Sequence, residues 1–236
     1  MLFRSADPQR RAALHNDLTF SLTYAYSENF ILPLSHDEVV HGKCSLLSKM
    51  PGLYHDKFAN LRAYLTYLFC HPGKKLTFMG ADIAQFIEWD EERGLDFFLL
   101  DYEMHAKYNR FIQALNTYYK KSAPLWENDS SIYGFEWIAC DDKDKNTVGF
   151  VRRDNKGGEI NVFCNFSTDG YTRYRFGVGQ AGSYRCVFST DEEEYGGSSR
   201  MKRTVKTQNL PLHGKAQSLQ LDLPPLSVLI YQRKGN

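Results

Sequence analysis

Near residue 125 the hydrophobic pattern of this 236-residue chain changes period, and that change limits the possible folds more than any other feature. Before it, short apolar runs alternate with segments whose apolar residues recur every three or four positions. After it, apolar and polar residues alternate one by one over short stretches separated by turn residues. The first pattern suits helices mixed with buried strands, the second suits half-buried strands alone, so the two portions build different layers.

In the first portion, Asn16 is placed to cap a short helix opening at Asp17, with Leu18, Leu22 and Ala25 at helical spacing. Phe30–Leu34 is apolar without alternation, as in a strand of a parallel sheet buried on both faces, and Ser35-His36-Asp37-Glu38 continues from its C-terminal end. Phe58, Leu61, Leu65, Leu68 and Phe69 predict an amphipathic helix over 56–70, stopped by Pro72-Gly73. A second buried strand is predicted over 76–80, then a polar loop through Trp89 and a helix over 104–120. Such alternation implies βα units on a parallel sheet, whose chemistry lies outside the carboxyl ends of the strands. Both His36-Asp37-Glu38 and the loop from Gly80 to Trp89 occupy that place. Two units cannot close a barrel, which takes eight strands and roughly 250 residues, so sheet edges stay bare.

In the second portion, strands are predicted over 132–138, 147–152, 159–166, 171–176, 183–188, 218–223 and 227–231. Turn clusters such as Asp141–Asn146 and Gly196–Ser199 separate them. That spacing indicates an antiparallel β-sandwich. The fold class is therefore α/β plus all-β, divided into 1–125 and 126–236. The first part, with its bare edges, is expected to aggregate or stay molten alone, and the second to fold alone.

Composition narrows the partners. With 29 basic and 28 acidic residues scattered along the chain, no basic stripe marks a nucleic-acid site. No apolar run reaches the roughly 18 residues of a membrane span. Five cysteines, odd in number and without a CxxC pair, suit free thiols in a reducing cytoplasm.

His36-Asp37-Glu38-Val39-Val40-His41 contains common metal ligands, but its two histidines are five apart, about 140° out of phase on a helix, where a zincin needs a spacing of four. No metal and no cofactor is expected. At a strand tip the same residues offer carboxylates and an imidazole to a substrate, or else form a polar strand end satisfied by local hydrogen bonds. The residues alone leave both open.

The stretch Leu32-Pro-Leu-Ser-His-Asp-Glu-Val-Val-His-Gly-Lys43 resembles the seventh-strand motif of the 1,4-α-glucan (glycogen) branching enzymes of the α-amylase superfamily. Asn16-Asp-Leu-Thr-Phe20 before it, and Tyr133-Gly-Phe-Glu-Trp137 and Leu223-Pro-Pro-Leu226 after it, are similar to that family too. The resemblance runs from about residue 14 to the end, and Met1–Ser5 matches nothing in it. Three places depart from the family's pattern: Cys44 stands where Gly is usual after His-Gly-Lys, Asp82 where Glu is common, and Leu14-His15 where paired His is more typical.

This resemblance implies the last βα units of a (β/α)8 barrel followed by a β-sandwich. It implies retaining transfer of α-glucan, amylose or glycogen, through a glycosyl-enzyme intermediate. Asp37 matches the superfamily's third carboxylate, which supports the charged, distorted sugar, and His36 the histidine that donates to the same hydroxyls. Glu38, Lys43, Gln85 and Trp89 are expected to bind substrate. The nucleophile motif, ending Arg-x-Asp-Ala, and the acid/base glutamate have no counterpart here, so the missing N-terminal part of the enzyme is the expected partner and the chain alone is expected to be inactive. A trehalose-releasing amylase-like hydrolase and a standalone glucan-binding module are the competing expectations.

Overall fold

A short helix, α1 (Asn16–Thr19), tightens at once into a 3-10 turn over Phe20–Thr23, ending earlier than the spacing of Leu18, Leu22 and Ala25 predicts. Asn16 lies inside the first turn instead of capping it. The cap position belongs to His15, whose Nε2 is 3.0 Å from the Cys140 carbonyl oxygen and ties the segment to the β-rich portion. The computed structural model describes residues 8–235, so Met1–Ser5 lies outside the described residues.

Strand β1 (Ile31–Leu34) is followed by helix α2 (Tyr54–Cys70) and strand β2 (Lys74–Thr77), with β1 and β2 parallel and Ile31 opposite Lys74. Parallel pairing requires a crossover, which α2 supplies. Two expectations need correction. Strand β1 is not buried on both faces, since only Leu34 is buried and Ile31 is 58% exposed. The two strands form a sheet by themselves among the described residues, so both outer edges are left without a strand partner. The second strand also begins two residues earlier than predicted and ends at Thr77, before the positive-φ turn at Gly80.

Helix α2 is less amphipathic than its spacing suggests. From Phe58 onward almost every side chain is buried, including Asn60, Arg62 and Thr66, because the helix packs on the β-rich portion on one side and on helix α3 (Glu103–Lys121) on another. Two of these buried polar side chains are bonded, while Thr66 Oγ1 has no hydrogen-bond partner among the described residues. Asn60 Nδ2 donates to the carbonyls of Pro51 and Asp56, and Arg62 Nε donates to the Thr190 carbonyl at 3.0 Å.

The remaining strands are β3 (Phe135–Ala139), β4 (Thr147–Arg153), β5 (Glu159–Asn165), β6 (Tyr171–Val178), β7 (Ser183–Ser189), β8 (Thr204–Lys206), β9 (Gln217–Leu223) and β10 (Ser227–Arg233). All pairs among them are antiparallel, in a sheet ordered β3-β4-β5-β10-β7-β8 and a smaller sheet of β6 and β9. Only β8, three residues with polar ends, escaped the period-two pattern.

Alternation splits the large sheet between two cores. Phe150, Val162, Val228 and Ile230 face α2, sharing a core with its Phe58, Leu61 and Leu65. Val151, Phe163, Leu229 and Tyr231 face β6 and β9, where Phe163 stacks on Phe176 with centroids 4.4 Å apart. The result is three layers: helices, six strands, two strands. The first core runs across residue 125 without a break, and buried Arg152 bridges the same junction. Its guanidinium donates to the Cys70 carbonyl at 2.7 Å, the Gly134 carbonyl at 3.0 Å and Asp129 Oδ1 at 2.8 Å. Among the described residues, no helix is long and apolar enough to cross a membrane.

Candidate functional site

Strand β1 delivers the chain to Ser35, which is extended, and the next three residues close one 3-10 turn through Val39 N–H donating to the His36 carbonyl at 2.8 Å. The turn throws His36 and Asp37 outward. His36 Nε2 lies 3.2 Å from Asp37 Oδ1, with the side chains 57% and 71% exposed. A pair this exposed contributes only about 0–1 kcal/mol to folding. It is therefore a polar pair held at a strand tip with little stake in the core, and free to meet a ligand.

Glu38, although adjacent, takes a different environment. Its carbonyl accepts from Lys49 Nζ, and its carboxylate lies 3.5 Å from the same ammonium, both side chains being mostly buried. It braces the loop from below and does not join Asp37. Lys43 Nζ donates to the Asp37 carbonyl at 2.6 Å, so the lysine folds back over the turn.

The loop carrying Lys43 is strained. His41, Gly42 and Cys44 all have positive φ, at 56°, 76° and 64°, and glycine alone adopts this region without cost. The departure at Cys44 thus falls where the backbone itself favours glycine. One carboxylate holds the loop: Glu88 accepts from Gly42 N–H at 2.9 Å and from Cys44 N–H at 2.5 Å. Those bonds, Gly42's first, depress the Glu88 pKa below the ordinary glutamate range. The clamp is therefore complete at and above the ordinary glutamate pKa and is lost as pH falls through the depressed value. The amide resonances of Gly42 and Cys44 are expected to titrate together below the usual glutamate pKa, and Glu88→Gln to abolish the step. Amides indifferent to pH down to about 2 would contradict the clamp.

Two more bonds stitch this loop to the one after β2: Trp89 N–H donates to the Val39 carbonyl at 3.0 Å, and Ser48 Oγ to the Phe86 carbonyl at 2.7 Å. The half-buried Trp89 ring stands edge-on to Phe78, centroids 5.2 Å apart. Between the loops lies an open groove of about 520 Å³ lined by His36, His41, Glu88, Trp89 and Arg93, among others. Of the residues singled out in the sequence, His36 and Trp89 line it. Asp37 stands beside His36 at the same tip. Gln85 does not reach it: the side chain is 6% exposed, packed beneath Gly80, and its amide donates to the Ile87 carbonyl at 3.2 Å. His41 and Arg93 were missed as candidates, although His41 lies inside the motif. Among the described residues, no group of three or more His, Cys, Asp or Glu could hold a metal ion.

The sequence and the fold both have known relatives. Residues 137–234 match the family of alpha amylase C-terminal all-beta domains. Two solved structures share the fold. Ttha1563 from Thermus thermophilus has a TM-score of 0.65 at 15% identity, covering 98% of this chain and 44% of that one. The debranching enzyme from Nostoc punctiforme has a TM-score of 0.54 at 16% identity, covering 82% and 34%. Curated relatives are closer in sequence. The 1,4-alpha-glucan branching enzyme GlgB of Halothermothrix orenii is 46% identical over 220 residues, which is 92% of this chain and 35% of that protein. That of Aquifex aeolicus is 48% identical over 237 residues, 100% and 38%. The chain corresponds to the C-terminal part of the 1,4-alpha-glucan branching enzymes, spanning little more than a third of the length of these relatives.

Proposed function

We propose that residues 1–125 are the end of a catalytic (β/α)8 barrel, its seventh and eighth strands being β1 and β2, and that residues 126–236 are the sandwich domain behind it. The whole enzyme cuts α-1,4 glucan and rejoins the cut chain as an α-1,6 branch, in glycogen biosynthesis. The observation that carries this is the exposed His36–Asp37 pair at the carboxyl end of a parallel strand, where barrel enzymes keep their chemistry.

In retaining transfer a carboxylate attacks the anomeric carbon as the glycosidic oxygen takes a proton from a general acid, leaving a glycosyl ester. A 6-hydroxyl of a second chain then attacks that carbon, giving its proton to the same residue acting as base, and the carboxylate leaves. Asp37 is neither of these groups. As a fixed negative charge with an acceptor-only rim, it binds ring hydroxyls more strongly as the ring turns oxocarbenium-like, while His36 offers the matching donor. Trp89 supplies an apolar surface to a sugar ring, and Lys43 shapes the turn around Asp37. Glu38 and Gln85 act as supports, because their polar groups are turned to Lys49 and to their own loop.

The nucleophile and acid/base come from the N-terminal part of the same enzyme, which also covers the free edges of β1 and β2. All five cysteines carry free thiols, which suits the cytoplasm. The 236-residue chain incubated with amylose is expected to leave iodine staining unchanged, whereas the complete enzyme lowers it and creates 1,6 linkages. Reducing sugar or trehalose in place of 1,6 linkages would favour the hydrolase alternative.

A further inference from the structure

We infer that a groove beside β6, floored by Tyr171 and Tyr174, is a second glucan site that holds a linear α-glucan away from the catalytic end. The inference takes the α-glucan substrate from the proposed function, but the groove lies wholly within this chain.

The floor depends on a register shift. Tyr171 pairs with Leu223 and Tyr174 with Leu221, so three residues of β6 oppose two of β9 where a regular ladder would pair residue 173 with Leu221. In an unbroken strand, residues three apart point to opposite faces. The extra residue turns Tyr171 and Tyr174 to the same face, with ring centroids 6.0 Å apart. The bulge is held by Arg173, whose φ is +56° and whose N–H donates to Asp222 Oδ1 at 2.9 Å, leaving its side chain exposed.

Two walls enclose this floor. One is Lys145, from the β3–β4 turn, with Nζ 5.3 Å from the Tyr174 ring centroid. The other is the tight hairpin Leu212–Lys215, whose end residues exchange backbone bonds of 3.0 and 2.9 Å across His213 (φ +52°) and Gly214. The hairpin sits so close that a Cβ on Gly177 would lie 2.1 Å from the Leu212 carbonyl oxygen. Gly177 N–H donates to His213 Nδ1 at 3.3 Å, which leaves the imidazole proton on Nε2. The open groove measures about 570 Å³.

The strained positions of the described chain are unevenly placed. Of its eight non-glycine residues with positive φ, His41, Cys44 and Ala84 lie in the loops of the candidate catalytic site, while Arg173 and His213 line this groove. Left-handed backbone concentrates at ligand clamps because only function repays it. Arg173 is the clearest case, since arginine has no side-chain chemistry that eases the conformation.

The chemistry fits a neutral polyol. Tyrosine rings match the apolar C–H face of a pyranose, and Arg173 and His213 supply donors around it, while the Tyr171 and Tyr174 hydroxyls donate to the Lys145 carbonyl and Asp142 and so fix the floor. Asp142, bonded to the Tyr174 hydroxyl at 2.5 Å and 3.5 Å from Lys145, offsets the cationic wall, and Asp222 does the same beside Arg173, so the groove does not select an anion. A processing enzyme that must keep a long polymer between transfers gains from such a hold, because a tethered chain is re-presented at high effective concentration.

Maltoheptaose titrated into the 236-residue chain, followed by amide resonances, is the test. Shifts are expected at residues 145, 171–175 and 213, with Tyr171→Ala weakening binding about 10-fold or more and Tyr171→Phe by less than about 3-fold. Unchanged affinity in a folded Tyr171→Ala chain overturns the site. Shifts confined to 36–43 and 85–93 also overturn it while sparing the proposed function. No binding at about 10 mM removes the groove alone, because the catalytic reading depends on residues supplied from outside this chain. Groove binding in a chain whose complete enzyme makes no 1,6 linkages would keep the site and reject that function.

Discussion

In the complete enzyme, Asp37→Asn is expected to lower kcat by about two orders of magnitude or more while leaving the unfolding transition where it was. The two halves of this result have one cause. Asp37 is 71% exposed and, among the described residues, its side chain is paired with His36 alone, at 3.2 Å, so the fold draws about 0–1 kcal/mol from it. A fixed charge placed against developing positive charge in a site closed from water is worth far more, on the order of 3 kcal/mol, or about a hundredfold in rate. Asparagine keeps the shape and an acceptor oxygen but loses the charge. In the role proposed for Asp37 the interaction strengthens as the sugar distorts, so the loss is expected to fall on kcat more than on KM. A variant retaining more than about a tenth of the wild-type kcat would remove Asp37 from the transition state.

The second large effect concerns the division at residue 125. Expressed alone, residues 126–236 are expected to lose cooperative unfolding and to expose apolar surface. The alternation that makes Phe163, Leu229 and Tyr231 face β6 and β9 makes Phe150, Val162, Val228 and Ile230 face α2, and these four are fully buried in the intact chain. Burial of such a side chain is worth about 1.5–3 kcal/mol, so uncovering all four removes an amount comparable with the whole stability of a typical domain, about 5–15 kcal/mol. Arg152 adds to the loss, since the Cys70 carbonyl that accepts from its buried guanidinium departs with α2. Urea unfolding followed by circular dichroism, with a hydrophobic dye as a second probe, measures both features. A sharp transition without dye binding would mean that the sandwich closes its own exposed face. On this argument the expectation that the β-rich portion folds alone gives way to one of shared stability.

How much of this could be read beforehand depended on range. The strand-tip motif was legible because residue identity alone marks it, and chain order puts it directly after an apolar run that becomes β1. Helices α2 and α3 were legible because their periodicity is local, and so were seven of the eight sandwich strands. The surroundings of Glu38 and Gln85 were not legible, because nothing near them in sequence announces Lys49 Nζ or the close approach of Gly80. The clamp of Glu88 on Gly42 and Cys44 joins residues more than 40 positions apart, and only the pairing of β1 with β2 brings the two loops together. The bulge at Arg173 was invisible, because an inserted residue changes the register without changing the composition of the strand.

By itself, then, the sequence determined which segments form helices and strands and which strand tip carries the polar pair, since these follow from the spacing of side chains along a local backbone. The tertiary structure alone decided which face of the six-stranded sheet meets α2, which carboxylate braces a loop and which is left exposed. Those outcomes depend on contacts between distant segments, where close packing and the need to satisfy every buried polar group select among partners that local sequence leaves equivalent.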